Sequence, residues 1–519
     1  MTKVLLIIII PVIFISFFRL GSITLFDVDE AVFAEATKEM VQGGDWITPV
    51  YNGENRYDKP ILFYWLMAGS YKVFGINEFG ARFPSALASF FLALSVFFFV
   101  RRFSDEKGAI HAAGSLVLSM FFLAYSHAAV TDMALTLFIT LSLFSIYLSL
   151  NEKRSYIYGF YIFSALAFLT KGLIGVFFPF GIAVIYLSVT EGTAGIKKVF
   201  NLKGIVLFLV FSTPWCIAQI ATNGREFVQQ FFIKHHFARY TGVISGHRGP
   251  VYYYIPVLLA GLFPWIAFLP AGIRNVFDRE NLELRTLNSG AGLFALIWFV
   301  FIFVFFSFST TKLPNYVLPA IPAIAILISS GMHEQDKWRR YSNVFISVMA
   351  LVLSIGFVLL EKYISRLGDY DTGWTIAAAS IMIAVTALGI YTVFTGKGYY
   401  HVLSFLTIIF FFTLLTKVLP DANQYLQGTL YRYSLYAKDR LHQSETYGGI
   451  IAYRMNNPSI VFYSDHKVIN VRDRNKLLPF LSDNRILIAI AKMKDVETLK
   501  VLGFNLLEND GRYALLERK

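Results

Sequence analysis

Taken as hydrophobic and polar positions alone, the chain alternates long apolar runs with short polar breaks. A membrane-crossing helix needs about 20 predominantly apolar residues. Runs that approach this length fall near 4–20, 82–100, 109–126, 132–150, 156–170, 173–189, 203–221, 251–270, 290–308, 316–330, 342–361, 374–394 and 400–417. The pattern predicts a polytopic α-helical membrane protein with about 13 transmembrane helices. Two stretches depart from it. In the first, residues 26–80, AVFAEATKEMVQGG puts Val32, Phe33, Ala36 and Met40 on one helical face and Glu35, Lys38, Glu39 and Gln42 on the other. That is an amphipathic helix suited to the membrane interface, ended by Gly43–Gly44. In the second, after about residue 420, SIVFYSD (459–465) and RILIAIA (485–491) read as strands and VETLKVLG (496–503) as a short helix. They predict a small C-terminal α/β domain. The chain thus divides into a transmembrane domain, 1–420, and a soluble domain, 421–519.

Composition agrees: 56% of the 519 residues are hydrophobic and only 15% charged, more apolar surface than a soluble core needs. The net charge of +12 is not a nucleic-acid signal, because Lys and Arg collect in the cytoplasmic loops of membrane proteins. The partners this implies are membrane lipids and no nucleic acid. With the N-terminus inside, every second connection is basic: RRFSDEK (101–107), NEKR (151–154), IKKVFNLK (196–203), IRNVFDRENLELR (273–285) and EQDKWRR (334–340). The intervening connections at 127–131, 171–172 and 309–315 carry at most one Lys each. The exception is the outer loop 222–249, whose Arg225, Lys234, Arg239 and Arg248 suit an anionic partner or a solvated loop. An odd number of spans puts the tail outside, with the first loop. MTKVLLIIIIPVIFISFFRL lacks a small-residue cleavage site and reads as a retained span. The one Cys, Cys216, cannot form an internal disulfide.

This topology sorts the ionisable residues beside apolar segments. Asp29, Glu30, Asp58, Lys59, Asp132, Lys171, His235, His236, Arg239 and Lys312 all map to the outer side. Charges at such positions are costly and mark functional sites. Their placement suggests one reaction chamber at the outer membrane–water boundary. Each also has an ordinary reading. Asp27 and Glu30 resemble an N-cap and its N3 partner. Asp58-Lys59-Pro60 suits a turn before a helix, and Asp132 suits a cap on its own span. His235 and His236 suit an amphipathic surface, and Lys171 and Lys312 suit interfacial lysines. Agreement on one side favours the functional reading.

The ordered pieces VDEAVFAEATKEMVQGGDWITPVYNGENRYDKPILFYWL, ARFPSAL, AVTDMALT, FLTKGLIG, FFIKHHFARYTG, GPVYYYIPVLLAGLFPW and STTKLPNYVLPAIPA together resemble the lipid-linked-sugar glycosyltransferases of the C-type fold. The likeness is to the 4-amino-4-deoxy-L-arabinose lipid A transferases, relatives of protein O-mannosyltransferases, over about residues 1–420. It implies about 13 spans with amphipathic helices in the first periplasmic loop, a bacterial inner-membrane location and an active site facing the periplasm. It implies an undecaprenyl-phosphate-linked sugar donor, inversion at the anomeric carbon, and lipid A or another glycan or protein as acceptor. Asp29 then matches the first active-site acid, with Glu30 beside it and Asp132 as a second acid. Lys59 and Arg239 match donor-phosphate cations, and Lys171, Lys312 and Tyr316 further pocket residues. Family members can hold a divalent metal (Zn, Mg or Mn) between the acid of the Lys-Pro motif and a histidine, here Asp58 with His235 or His236. This chain departs from the pattern at Val32, where close relatives often carry Arg. It departs again at Asp58, where Glu is common, and at Lys234, where an acid often precedes the histidine. These departures bear on the sugar, the acceptor and the metal site rather than on the reaction class.

Two other classes stand beside an enzyme. A transporter or flippase of lipid-linked glycans predicts mid-span charges, broken helices and related halves. An inactive relative predicts that Asp29 is dispensable.

Overall fold

The structure, a computed structural model, describes residues 2–231, 248–277, 289–333, 337–364, 372–396, 399–443, 448–482 and 486–518. The chain folds as two compact units interleaved in sequence. The first comprises Met1–Phe18, Tyr57–Phe63 and Pro84–Val418; the second comprises Arg19–Arg56, Tyr64–Phe83 and Leu419–Lys519. Most of the first loop therefore shares a unit with the tail, whereas Tyr57–Phe63 belongs to the first unit, and residue 420 lies within the short helix Leu419–Asn423.

In chain order the first ten helices are α1 (Thr2–Phe17), α2 (Asp29–Gly43), α3 (Leu62–Phe74), α4 (Glu78–Phe103), α5 (Glu106–Val117), α6 (Met120–Ser126), α7 (Asp132–Asn151), α8 (Ile157–Lys171), α9 (Ile174–Ile196) and α10 (Leu202–Phe227). Among the described residues nine helices are long and apolar enough to cross a membrane, and eleven if two bent pairs each count as one span. The expected run 109–126 is the first bent pair, α5 and α6, with 59° between them. Ser119 starts α6 afresh by accepting from the Phe122 amide. The run 251–270 belongs to the second, Val251–Leu262 and Trp265–Phe277, bent by 113° around Pro264. Two other expected spans, near 4–20 and 156–170, correspond to the shorter helices α1 and α8.

The core of the first unit is built around α7, which packs against α8, α9 and the Pro314–Ala320 turn and buries most of its residues. The helices Lys337–Ile364 and Gly373–Thr395 instead expose Val348, Val352, Ile355, Ile376 and Ile383. That is the surface expected of lipid-facing helices.

In the second unit, α2 ends as expected. Gly44 adopts φ +75° and its amide caps the Met40 carbonyl, a conformation that costs glycine little. The amphipathic expectation needs correction. Glu35 and Lys38, assigned to a solvated face, are buried with the rest of the central turns, because α2 packs against the tail helix Pro458–Ser464.

The first loop also holds a two-stranded ribbon, β1 (Val50–Tyr51) and β2 (Glu54–Asn55). The tail carries β3 (Gly449–Tyr453), β4 (Val468–Val471), β5 (Leu487–Lys492), β6 (Asn505–Asn509) and β7 (Tyr513–Arg518) in one sheet, ordered β4-β3-β5-β7-β6. β4, β3 and β5 run parallel, and β7 is antiparallel to both β5 and β6. Side chains alternate between two buried faces. Ile450, Ala452, Ile488 and Ile490 meet the helices Thr429–His442 and Pro458–Ser464 on one face. Ile451, Tyr453, Leu487 and Ala489 meet Val496, Leu499 and Leu502 on the other. A sheet covered on both faces reads as continuous apolar runs. The strand expected at 485–491 is β5, and the helix expected at 496–503 is Val496–Lys500. The strand expected at 459–465 is instead the helix Pro458–Ser464, buried all round with Pro458 in its first turn. A fully buried helix and a fully buried strand have the same short apolar pattern.

Candidate active site

The first unit brings three distant motifs together at helix ends. Asp132 is the first residue of α7, and no side-chain cap bond forms at its N-cap, Thr131. The carboxylate instead faces neighbouring elements. Lys171, the last residue of α8, donates its Nζ to Asp132 Oδ1 at 2.6 Å. Gly172 follows at φ +77°, a turn that frees the chain just past that lysine. Asn315, in the Pro314–Ala320 turn, donates Nδ2 to the same Oδ1 at 2.9 Å. Asp132 is buried, so charge-assisted bonds on one oxygen fix the plane of the carboxylate. Tyr316 follows Asn315, and its ring centre lies 5.9 Å from Lys171 Nζ. Among the four pocket and acid positions expected in this unit, Asp132, Lys171 and Tyr316 therefore meet.

Lys312 has a different role. Its Nζ donates to the carbonyls of Phe306, Ser307 and Ser309 at 3.1, 2.8 and 2.8 Å. All three ammonium protons close the C-terminal end of the helix Ser289–Phe308. Lys312 thus shapes the turn that presents Asn315 and Tyr316. Asp58 and Lys59 lie in the bend before α3, both partly exposed, with Lys59 Nζ 3.3 Å from the Asp58 carbonyl.

The second unit holds the FDVDE stretch. Asp29 opens α2 and is exposed. Its acidic neighbours are both engaged. Glu30 forms a two-pronged pair with Arg82: Nε to Oε1 at 2.9 Å and Nη2 to Oε2 at 3.0 Å. Glu30 Oε2 also accepts from the Phe26 amide at 2.9 Å. Arg82 is 1% exposed and directs its remaining bonds to the carbonyls of Leu20, Ile23 and Thr24. Such a bidentate pair fixes both direction and distance. Glu30 therefore braces the loop, and no hydrogen bond from a described residue falls on the Asp29 side chain. Asp27 does not cap its own helix, because the N-cap of α2 is Val28. Its carboxylate turns to the tail, accepting from the Ser459 amide, the Ser459 hydroxyl and Asn457 Nδ2 at 2.8, 2.7 and 2.9 Å. Burial pushes the Asp27 carboxyl above its ordinary value, and these bonds oppose the shift.

His235, His236 and Arg239 lie outside the described residues. Among the described residues no group of three or more His, Cys, Asp and Glu is placed to hold a metal ion. Asp58 alone does not build such a site. Asn315 and Arg82 stood inside quoted motifs without being singled out. Arg82 was legible as an Arg five residues into an apolar helix, which needs a buried partner.

Three comparisons bear on this arrangement. Residues 58–217 match the family model described as dolichyl-phosphate-mannose-protein mannosyltransferase. A protein of Aquifex aeolicus (strain VF5), described only as uncharacterized, is 30% identical over 71% of this chain and 72% of its own length. The undecaprenyl phosphate-alpha-4-amino-4-deoxy-L-arabinose arabinosyl transferase 1 of Proteus mirabilis (strain HI4320) is 29% identical over 76% of this chain and 71% of its own length. Among solved structures, ArnT from Cupriavidus metallidurans bound to undecaprenyl phosphate matches 99% of this chain and 98% of its own, with a TM-score of 0.84 and 21% identity. The last comparison speaks to the fold.

Proposed function

The chain belongs to the polyprenyl-phosphate-sugar-dependent glycosyltransferases related to the aminoarabinose and protein mannosyl transferases, and from that premise we propose that it moves 4-amino-4-deoxy-L-arabinose or a similar sugar from undecaprenyl phosphate to lipid A. The thirteen-span topology belongs to this reading, with α1 and α8 counted beside the eleven spans. So do an inner-membrane location, an active site facing the periplasm and a soluble C-terminal domain on that side.

One observation carries the proposal: the charged motif residues sit at helix ends, with Asp132 at the start of α7 and Lys171 at the end of α8. The central turns of α7, Ser289–Phe308 and Gly373–Thr395 contain no charged residue. A flippase needs polar groups where the substrate crosses, whereas a transferase needs them gathered at one boundary.

In the proposed reaction an acceptor oxygen attacks the anomeric carbon from the face opposite the lipid phosphate. The bond from carbon to phosphate oxygen breaks, and the phosphate leaves with the electron pair. Lys59 and Arg239 neutralise it. Asp29 orients the acceptor and stabilises the positive charge developing on the sugar. With a phosphate acceptor no proton need move; with a hydroxyl acceptor the proton passes to Asp29. Asp132, held by Lys171 and Asn315, lines the sugar pocket with Tyr316. Glu30 and Lys312 act as supports for the loop and the turn.

The test is mass spectrometry of lipid A and other envelope glycans from cells expressing wild-type protein or Asp29→Asn at equal levels. An aminopentose increment on lipid A that disappears in the variant is the expected result. A different Asp29-dependent increment on another glycan or on protein relocates the substrate. Identical spectra reject the catalytic role of Asp29.

A further inference from the structure

We propose that Asp27 is a positioning residue for the reaction: by clamping the FDVDE loop to the tail helix Pro458–Ser464 it sets where Asp29 points, so the tail takes part in building the active site. The proposal rests on the reading of Asp29 given above.

The clamp uses both carboxylate oxygens. Oδ1 accepts from the Ser459 amide, and Oδ2 accepts from the Ser459 hydroxyl and Asn457 Nδ2. With its amide oriented to satisfy both of its contacts, Gln427 adds a bond to Oδ2 at 3.1 Å and accepts from the Asp27 amide at 3.2 Å. The donors approach from two stretches of the tail. An amide side chain at position 27 would offer one acceptor oxygen and turn its NH2 toward donors, so Asn is a poor substitute.

The same helix grips the loop on either side. Tyr463 Oη accepts from the Leu25 amide at 2.7 Å, and Lys38 Nζ donates to the Phe462 carbonyl at 3.2 Å and pairs with Asp465 at 2.6 Å. Asn423 holds Thr24 through three bonds of 2.8–3.2 Å. Arg82 holds Glu30 and the carbonyls before it. Asp29 is left exposed between Asp27 and Glu30, both of which are anchored. Because Thr24, Leu25 and Lys38 keep their own bonds, loss of Asp27 should leave the loop attached and the unit folded. What changes is the path of the two residues next to Asp29. A displacement of about 1 Å at a reacting group can cost on the order of 100-fold in rate.

The experiment uses full-length protein in detergent and in cells, comparing wild type, Asp27→Ala, Ser459→Ala, Ser459→Thr and Asp27→Ala/Ser459→Ala. Three readouts are taken: hydrogen exchange across the second unit, including the peptide covering 24–35, binding of undecaprenyl phosphate, and the initial rate of whichever glycan product the wild type makes. Asp27→Ala should speed exchange within 24–35 and at the Ser459 amide that it releases, and not elsewhere in the unit. It should lower the rate about tenfold or more and leave undecaprenyl phosphate binding unchanged. Ser459→Ala should do the same more weakly, and Ser459→Thr should restore the wild-type rate. The double variant should be no slower than Asp27→Ala, since both act through one contact.

Unchanged exchange in Asp27→Ala overturns the clamp. Faster exchange with a wild-type rate overturns its role in positioning. Rate and binding falling together, with exchange rising throughout the unit, reduce Asp27 to a folding residue and also overturn the proposal. If Asp29→Asn keeps the wild-type rate, the underlying reading of the site has failed, and exchange still reports separately on the clamp.

Discussion

Among the described residues two helices begin at an aspartate, and the chain treats the two carboxylates in opposite ways. At the start of α7, Asp132 is buried and bound directly by a lysine and an amide from two other elements. At the start of α2, Asp29 is exposed, and the bonds go to Asp27 and Glu30 on either side of it. The difference follows from the surroundings. Among apolar helices no water is at hand to solvate an ion, so the protein must supply the counter-charge and the partner becomes part of the fold. In a loop, the backbone can be fixed through flanking residues and the functional side chain left open. A bound acid and an unbound one are thus two ways of presenting a carboxylate, and neither pattern alone marks the catalytic one.

The strongest way to break this comparison is to remove the counter-charge on the buried side. Lys171→Met leaves Asp132 without its cation, and breaking a buried pair in this way costs about 3–5 kcal/mol. The expected result is a large fall in thermal midpoint in detergent and in yield of folded protein. The double variant Asp132→Asn/Lys171→Met should recover much of that stability, because no unpaired charge remains, while staying inactive. A double variant as unstable as Lys171→Met would show that the lysine acts through packing rather than charge. Asp29→Asn, by contrast, should leave the unfolding free energy within about 0.5 kcal/mol of wild type while abolishing product.

The second unit also contains a buried acid, Glu35, which lets the comparison be run inside one unit. Burial pushes its carboxyl up from 4.5 to about 7; Lys38 opposes the shift and Glu39 and Asp465 add to it. Asp465, which shares Lys38, goes the other way: burial raises it, but the bonds and charges of Lys38 and Lys438 win and hold it below its ordinary value. For Glu35 the folded state holds its proton more tightly than the unfolded chain. Its contribution is therefore fully present below about 4.5 and is lost as pH rises through about 7. Glu35→Gln should flatten the decline in unfolding free energy across that window, a difference of up to about 3 kcal/mol at its alkaline end. A parallel pH profile in the variant would assign the burial cost to another group.

The membrane helices were legible in the sequence because span length and apolarity are local properties. That Asp132 and Lys171 sit at helix ends was legible because the apolar runs stop beside them. Two kinds of feature were not legible. SIVFYSD was misread because burial on all sides erases the periodicity that separates helix from strand. The polar face of α2 was misread because Glu35 and Lys38 look solvated until the tail, more than 400 residues away in sequence, is known to cover them. Asp27 failed for the same reason: its partner is Ser459, and local sequence offered only a helix cap. Long-range polar contacts leave no periodic trace, so the residues that hold a site are harder to find than those that face it.

Asn315 sharpens the comparison at its finest point. Both donors to Asp132 fall on Oδ1, and they differ in kind: Lys171 supplies charge, whereas Asn315 supplies direction. If the buried carboxylate needs only a counter-ion, Asn315→Ala should be almost silent. If its plane must also be fixed, the variant keeps the Lys171 pair and the folded state but lets the carboxylate rotate about that one contact. A neutral donor to a charged acceptor contributes about 1.5–3 kcal/mol when fully effective. A partial loss, about tenfold in turnover, is the expected outcome, with the thermal midpoint nearly unchanged. Asn315→Asp should be far worse, because it sets a second negative charge within hydrogen-bond distance of the first. Equal activity of wild type and Asn315→Ala would mean that charge alone orders the buried acid, and the contrast with the braced Asp29 loop would then lie in the counter-ion only.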